Sequence, residues 1–252
     1  MRSPRARPLG RKHGGRARRV RPDAQGAVVN AAPPVGAPIG IVTGIVGIRR
    51  YELDVVGQPD HAGTTPMALR KDALVGAARI IEAVNREAHQ GAQDDGLVAT
   101  VGRIEVRPNA ANVVPGQVRL TVEARSMAPE RLDRLFATVV HAARDRLEQD
   151  GLILQARRIS DAAPVRCSET IQETICRVAE QRGYRHVALQ SGAGHDTMQV
   201  AHLCPVGMIF VPSRAGRSHV PDEYTAPVDL QAGVEVLCET VRQLDRSLPG
   251  AA

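Results

Sequence analysis

Between Gln117 and Ser126 the chain alternates strictly, with Val118, Leu120, Val122 and Ala124 on one side of an extended backbone and Arg119, Thr121, Glu123 and Arg125 on the other. A period of two marks a strand with one buried and one polar face. Looser versions of this texture predict three more strands: Gly47 to Gly57, with Tyr51, Leu53, Val55 and Val56; Leu97 to Val106, with Val101, Ile104 and Val106; and a last one through Leu152, Leu154 and Ala156. Two segments change period. From Arg70 to His89, Leu74, Ala77, Ile81 and Val84 recur at helical spacing, and Gly91 to Gly96 supply the stop. Pro129 opens a second helix, whose broad apolar stripe runs through Leu132, Leu135, Phe136, Val139, Val140, Ala143 and Leu147.

The order β-α-β-β-α-β over 47–159 is that of the ferredoxin-like split βαβ unit, two helices covering one face of a four-stranded antiparallel sheet. Upstream, three prolines and two glycines between Ala31 and Gly40 read as a linker or turn segment. Beyond Ser160 the pattern becomes α/β. It predicts a helix from Ser168 to Arg182, a short strand near His186 to Leu189, a helix after Asp196, a buried strand from Val206 to Val211 and a closing helix from Val228 to Leu244. Two short strands in some 90 residues make too small a core for an independent α/β unit. A larger sheet or a partner subunit is expected to complete it.

Composition adds less than pattern. At 252 residues and 43% hydrophobic content a sizeable core is available. No apolar run reaches the roughly 18 to 20 residues of a membrane span, and the Arg-rich start lacks the apolar segment of a signal peptide, so a cytoplasmic protein without membrane contact is expected. Four cysteines, Cys167, Cys176, Cys204 and Cys238, show no CxxC spacing and are expected to be reduced and buried. The net charge of +6 is local: nine Arg or Lys and no acid lie between Arg2 and Arg21, leaving a net −3 in the remainder. An arm that neutralises phosphates is one reading of 1–35. Without aromatics to stack on bases, nucleic acid is not the favoured partner, and a disordered or non-native leader is the expectation.

Four loops carry candidate chemistry. GQPDHAGTTPM, Gly57 to Met67, presents His61 and two hydroxyls between a strand and a helix, either a reactive loop or a solvated surface. PNAANVVP, Pro108 to Pro115, contains Asn112 in a setting where Asn beside Pro also simply shapes turns. SGAGHD, Ser191 to Asp196, is a glycine-rich entry to a helix whose N–H groups suit an anionic ligand; the same pattern serves an ordinary turn. In GRSHVPDEY, Gly216 to Tyr224, His219 with Glu223 four residues on suits a metal ligand supported by a carboxylate, or a loop of no chemical consequence.

Taken in order, GQPDHAGTTPM with RKDAL, NVVPG, the strand residues Glu123-Ala124-Arg125, SGAGHD and GMIFVPSRAGRSHVPDE resemble the hydantoinase/carbamoylase amidases. This group comprises N-carbamoyl-L-amino-acid hydrolases and allantoate amidohydrolases, within the zinc-dependent aminoacylase and carboxypeptidase superfamily. The resemblance runs from about Gly36 to Leu244. It implies an α/β protein with an α+β lid: a linker or remnant of the catalytic domain over 36–46, a dimerisation lid over 47–159, and over 160–252 the C-terminal portion of a zinc-peptidase-like catalytic domain. It implies hydrolysis of non-peptide C–N bonds in linear ureido or carbamoyl acids by a homodimer. His61 would reach across the dimer to the scissile carbonyl as the catalytic donor. Asn112 and Arg125 would hold the substrate carboxylate, Gly194 would donate to substrate and His195 would line the pocket. His219 would be a metal ligand, with Glu223 supporting it.

The family's other metal ligands do not match anywhere in the chain. Asp23-Ala24-Gln25-Gly26 resembles part of a His-Ile-Glu-Gln-Gly segment, keeping Gln25 for substrate but placing Pro22 where the ligand histidine stands. Zinc, manganese, cobalt or nickel would suit the family's ligand types. With one imidazole in place of the usual three protein ligands, this chain alone is expected neither to hold the metal stably nor to turn over substrate. The expectation is an N-terminally truncated amidase. The alternatives are a non-catalytic dimerising or carboxylate-binding lid protein, and one subunit of a split amidase.

Overall fold

A computed structural model describes residues 36–247. In chain order the elements are β1 (Ile39–Ile45), β2 (Gly47–Val56), β3 (Asp60–His61), α1 (Ala73–Asp95), β4 (Val98–Arg107), β5 (Val113–Val114), β6 (Gln117–Ser126), α2 (Pro129–Gln149), β7 (Ile153–Ala162), β8 (Val165–Arg166), α3 (Glu169–Gln181), β9 (His186–Ser191), α4 (Thr197–Val200), β10 (Met208–Phe210) and α5 (Pro227–Ser247).

The split βαβ expectation holds. One sheet has the order β4-β6-β2-β7, all pairs antiparallel, with β2 in unbroken register against β6 from Gly47 opposite Ser126 to Val56 opposite Gln117. The alternation read along β6 is realised residue by residue: Val118, Leu120, Val122 and Ala124 are buried beneath α1 and α2, beside Leu132, Phe136 and Leu147. Tyr51 and Phe136 stack with ring centroids 3.9 Å apart, joining sheet to helix.

Helix α1 begins and ends differently from the reading of its sequence. The Asp72 side chain accepts the N–H groups of Leu74 and Val75, a side-chain cap that starts the helix after Arg70. Gly91 is absorbed into the helix, and the chain leaves it at Gly96, whose φ of 69° is a left-handed value that glycine adopts without strain. The buried face is Ala73, Ala77, Ile80 and Val84; Leu74 is exposed.

Of the two readings of 36–46, linker or remnant of the following domain, the second sheet agrees with the latter. Ile39–Ile45 is a central strand, parallel to β9 on one side and antiparallel to β10 and β8 on the other. Ile39, Val42 and Ile45 are completely buried. A continuous apolar run, IGIVTGIV, fits a strand covered on both faces and shows no alternation to count. Around it, Ile175, Val178, Ala179, Ala232 and Val236 form one small core, and Cys167, Leu189, Met198 and Met208 another. The helix expected after Asp196 is a single turn, and the strand expected over Val206 to Val211 is reduced to Met208–Phe210. Only Cys167 of the four cysteines is buried; Cys176 is half-buried, and Cys204 and Cys238 are exposed. No helix among the described residues is long and apolar enough to cross a membrane.

Candidate functional site

The two sheets meet where β9 ends. After Ser191 the chain turns through Gly192, Ala193 and Gly194, and the buried Ser191 hydroxyl donates to the Ala193 carbonyl at 2.8 Å, fixing that turn. Arg125, opposite Ile48 in the sheet register, lies against it. Its Nη1 donates to the Gly192 carbonyl at 2.7 Å and its Nε to Glu123 Oε1 at 2.8 Å. Arg50, directly across from Glu123 on β2, donates to the other carboxylate oxygen.

Burial alone would raise the Glu123 pKa, but the hydrogen bonds from Arg125 and Arg50 outweigh it and hold the carboxyl below its ordinary range. Two guanidiniums thus share one carboxylate. The cluster keeps a net positive charge.

The loop around His219 closes the space. His219 has a φ of 59°, uncommon for a side chain with a Cβ, and its backbone N–H donates to Glu223 Oε2 at 2.9 Å. Glu223 therefore holds the loop's backbone, while Arg217 pairs with Asp222. Together these segments surround a cavity of about 620 Å³, whose lining includes Ile48, Arg50, Arg125, Gly194, Arg217 and His219 and contains no acidic residue. That volume suits a small molecule, and the charge of the walls suits an anion.

Arg125, Gly194 and His219 are thus brought together, but His61 and Asn112 are not among them. His61 closes β3, which pairs with β5, and the Ala62 N–H donates to the Asn112 carbonyl at 2.9 Å. These two residues neighbour one another past Val56, whereas Arg125 sits beside Ile48. Eight residue steps of β2 lead from Ile48 to Val56, about 26 Å at the usual rise. Gly63 N–H donates to His61 Nδ1 at 3.0 Å, so in this exposed ring the proton is left on Nε2.

His195 follows the glycine turn and faces the helix it opens. Its Nδ1 accepts the Thr197 N–H at 3.0 Å and lies 2.7 Å from the Thr197 hydroxyl, so the ring braces the start of α4 and is not part of the cavity lining. Local geometry decides this, because a histidine two residues before a helical N–H finds that donor first. Gln25 lies outside the described residues. Arg50 and Arg217 were missed from the sequence; for Arg50 the signal was its position in β2 opposite Glu123, visible only once the register is known.

His219 is the one lining residue of a metal-ligating type. A catalytic zinc takes three protein ligands, so the described residues around this cavity do not by themselves fit a metal centre. The one group of three such donors among the described residues, Cys176, Glu180 and His186, lies at the far end of β9 from the glycine turn.

Residues 13–243 match the model of peptidase family M20/M25/M40. The chain is 43% identical over 208 residues to an N-carbamoyl-L-amino-acid amidohydrolase of Paenarthrobacter aurescens, covering 82% of this chain and 50% of that protein. It is 34% identical over 209 residues to the allantoate amidohydrolase of Bacillus subtilis, covering 83% and 50%. A solved structure of a hydantoinase/carbamoylase family amidase from Burkholderia multivorans superposes with a TM-score of 0.74 at 38% identity, over 81% of this chain and 49% of that one. The chain spans about half the length of the relatives it matches.

Proposed function

The chain belongs to the M20/M25/M40 peptidase family, and from that premise we propose that it supplies the carboxylate-binding part of an amidohydrolase acting on N-carbamoyl amino acids, allantoate or related ureido acids. The observation that carries this reading is the acid-free cavity between the two sheets, walled by Arg50, Arg125 and Arg217. A substrate carboxylate entering it meets Arg125, whose guanidinium is already oriented by Glu123 and the Gly192 carbonyl and loses little freedom on binding. Gly194 offers backbone beside it, with no side chain to narrow the space next to Ile48.

The protein works in this reading as a homodimer. Among the described residues of one chain His61 stands a strand's length from Arg125, whereas a second chain can present His61 and Asn112 to the first chain's cavity. With Nδ1 occupied, His61 offers an Nε2–H donor to the carbonyl oxygen as charge develops on it. The family's chemistry depends on a metal-activated water, and His219 would be one ligand; the remaining donors are not among those around the cavity. The exposed apolar stripe of α5, Leu230, Val234, Leu237 and Val241, supports further structure packing on that side of the second sheet.

The test is to measure both binding and turnover of N-carbamoyl-L-amino acids and allantoate by the purified chain, supplied in turn with zinc, manganese, cobalt and nickel. Binding without turnover is expected. Arg125→Ala should weaken that binding by roughly ten- to a hundredfold, the loss of about 1.5–3 kcal/mol from a charged hydrogen bond. Undiminished binding by Arg125→Ala would sink the carboxylate assignment, and appreciable turnover by the chain alone would overturn its role as a part.

A further inference from the structure

Away from the cavity, three side chains of different chemistry converge. Cys176 and Glu180 are four residues apart on α3, so they share one face of the helix, and His186 opens β9 after the short turn that follows. Cys176 Sγ lies 3.3 Å from His186 Nε2 and 3.8 Å from Glu180 Oε1, and one ligand atom from each residue falls within 4.8 Å of the other two.

The Cys176–His186 spacing is already that of two ligands on a small tetrahedral cation, and the exposed Glu180 carboxylate, 3.8 Å from the sulfur, has to close in by a few tenths of an ångström or more. With zinc at its usual distances from sulfur, nitrogen and oxygen, neighbouring ligand atoms stand about 3.3–3.6 Å apart. His186 turns Nε2 to the sulfur, while its Nδ1 is buried with no hydrogen-bond partner among the described residues. Glu180 makes no ion pair among the described residues, and the nearby cations Arg177 and Arg182 are turned to Gln243 and Glu235 on α5. Glu180 also lies in the last turn of α3, where the helix carbonyls favour positive charge.

We propose that Cys176, Glu180 and His186 form a binding site for a zinc-type divalent cation, with a fourth coordination position left to water. Its donor set of one thiolate, one carboxylate and one imidazole favours zinc or cobalt over magnesium or calcium, which prefer oxygen alone. The site is separate from the cavity around His219: the five residue steps of β9 from His186 to Ser191 span about 17 Å. It stands whether or not the amidohydrolase reading does. Its physical consequence is a clip, closing the ten-residue span from Cys176 to His186 and fastening α3 to the start of β9.

Cobalt(II) reports the site directly, because a thiolate ligand gives a sulfur-to-cobalt charge-transfer band in the near ultraviolet that nitrogen and oxygen ligands lack. The full chain, freed of metal with a chelator and kept reduced, is titrated with cobalt chloride and back-titrated with zinc. The band is expected in the unaltered chain, to disappear as zinc displaces cobalt, and to survive both His219→Ala and the Cys204→Ser/Cys238→Ser double change. Cys176→Ser should abolish the band, and His186→Ala should weaken cobalt affinity by at least about a hundredfold, the upper end of what loss of even an outer partner of a metal ligand costs. A chain folded by circular dichroism that gives no band, or a band that persists in Cys176→Ser, overturns the proposal. As a measurement independent of the cysteine spectrum, zinc should raise the thermal midpoint of the unaltered chain and not that of a folded Glu180→Gln/His186→Ala variant; equal shifts in both would overturn it as well.

Discussion

Arg125 carries two jobs that separate by pH. It braces the glycine turn through Gly192 and it presents positive charge to the cavity, and Glu123 orients it for both. Because the Glu123 carboxyl titrates below its ordinary value of 4.5 in the folded chain, the unfolded chain binds more protons in that range. The clamp's contribution to stability is therefore complete above the ordinary carboxylate value and is lost as pH falls through the lower folded value. Unfolding by urea, followed from neutral pH down through the acid range, should show this loss in the unaltered chain and a shallower dependence in Glu123→Gln; identical slopes would remove Glu123 from the clamp. Gly194 sets a steric limit at the same place. A Cβ there would stand 3.3 Å from Ile48 Cδ1, the far end of a flexible side chain, so Gly194→Ala should narrow the cavity and weaken the binding of small carboxylates by more than it lowers the thermal midpoint, as competition binding and calorimetry can establish.

Among the elements, the strand pair β2 and β7 holds a cation that the core must accommodate. Arg49 is buried, its Nε donates to Asp161 at 3.1 Å and its Nη1 pairs with Asp133 on α2. Burial works to lower the Arg49 pKa, but the Asp161 hydrogen bond and the fields of Asp133 and Asp161 overcome it and hold the group above its ordinary value. Asp161 is the less exposed of the two partners, so Asp161→Asn should destabilise more than Asp133→Asn, by about 1–3 kcal/mol, read from urea midpoints at constant slope. Equal and negligible effects would mean that the guanidinium is satisfied elsewhere.

For the molecule as a whole, the separation of His61 from Arg125 along β2 makes the association state decisive. If the cavity is completed from a second chain, sedimentation equilibrium should give twice 27.0 kDa at micromolar concentration. A monomer under those conditions would rule out completion in trans. The two sheets also differ in what they make of their own residues. The first closes a core between strands and two full-length helices, whereas the second divides its buried residues into two small clusters and leaves the Leu230, Val234, Leu237 and Val241 face of α5 in solvent.

The β-α-β-β-α-β order was legible in the sequence because each of its elements has one wet face, and a wet face writes a period into the chain. The four loops of interest were legible for a similar reason: irregular, glycine- and proline-rich segments stand out between periodic ones. β1 was not, because a strand covered on both faces has no period to read, and its flanking prolines and glycines resemble a linker. Helix α1 misled at both ends because an aspartate cap and a left-handed glycine, rather than apolar spacing, decide where a helix stops. Sequence alone marked His61, Asn112, Arg125, Gly194 and His219 as candidates. Only the tertiary structure decided that three of them share a cavity while His61 and Asn112 stand a strand's length away, that His195 is spent on Thr197, and that Cys176, Glu180 and His186 meet. The physical reason is that local sequence sets backbone period and turn geometry, whereas proximity between a strand's residue and a loop distant in the chain depends on register and on which end of the sheet each occupies.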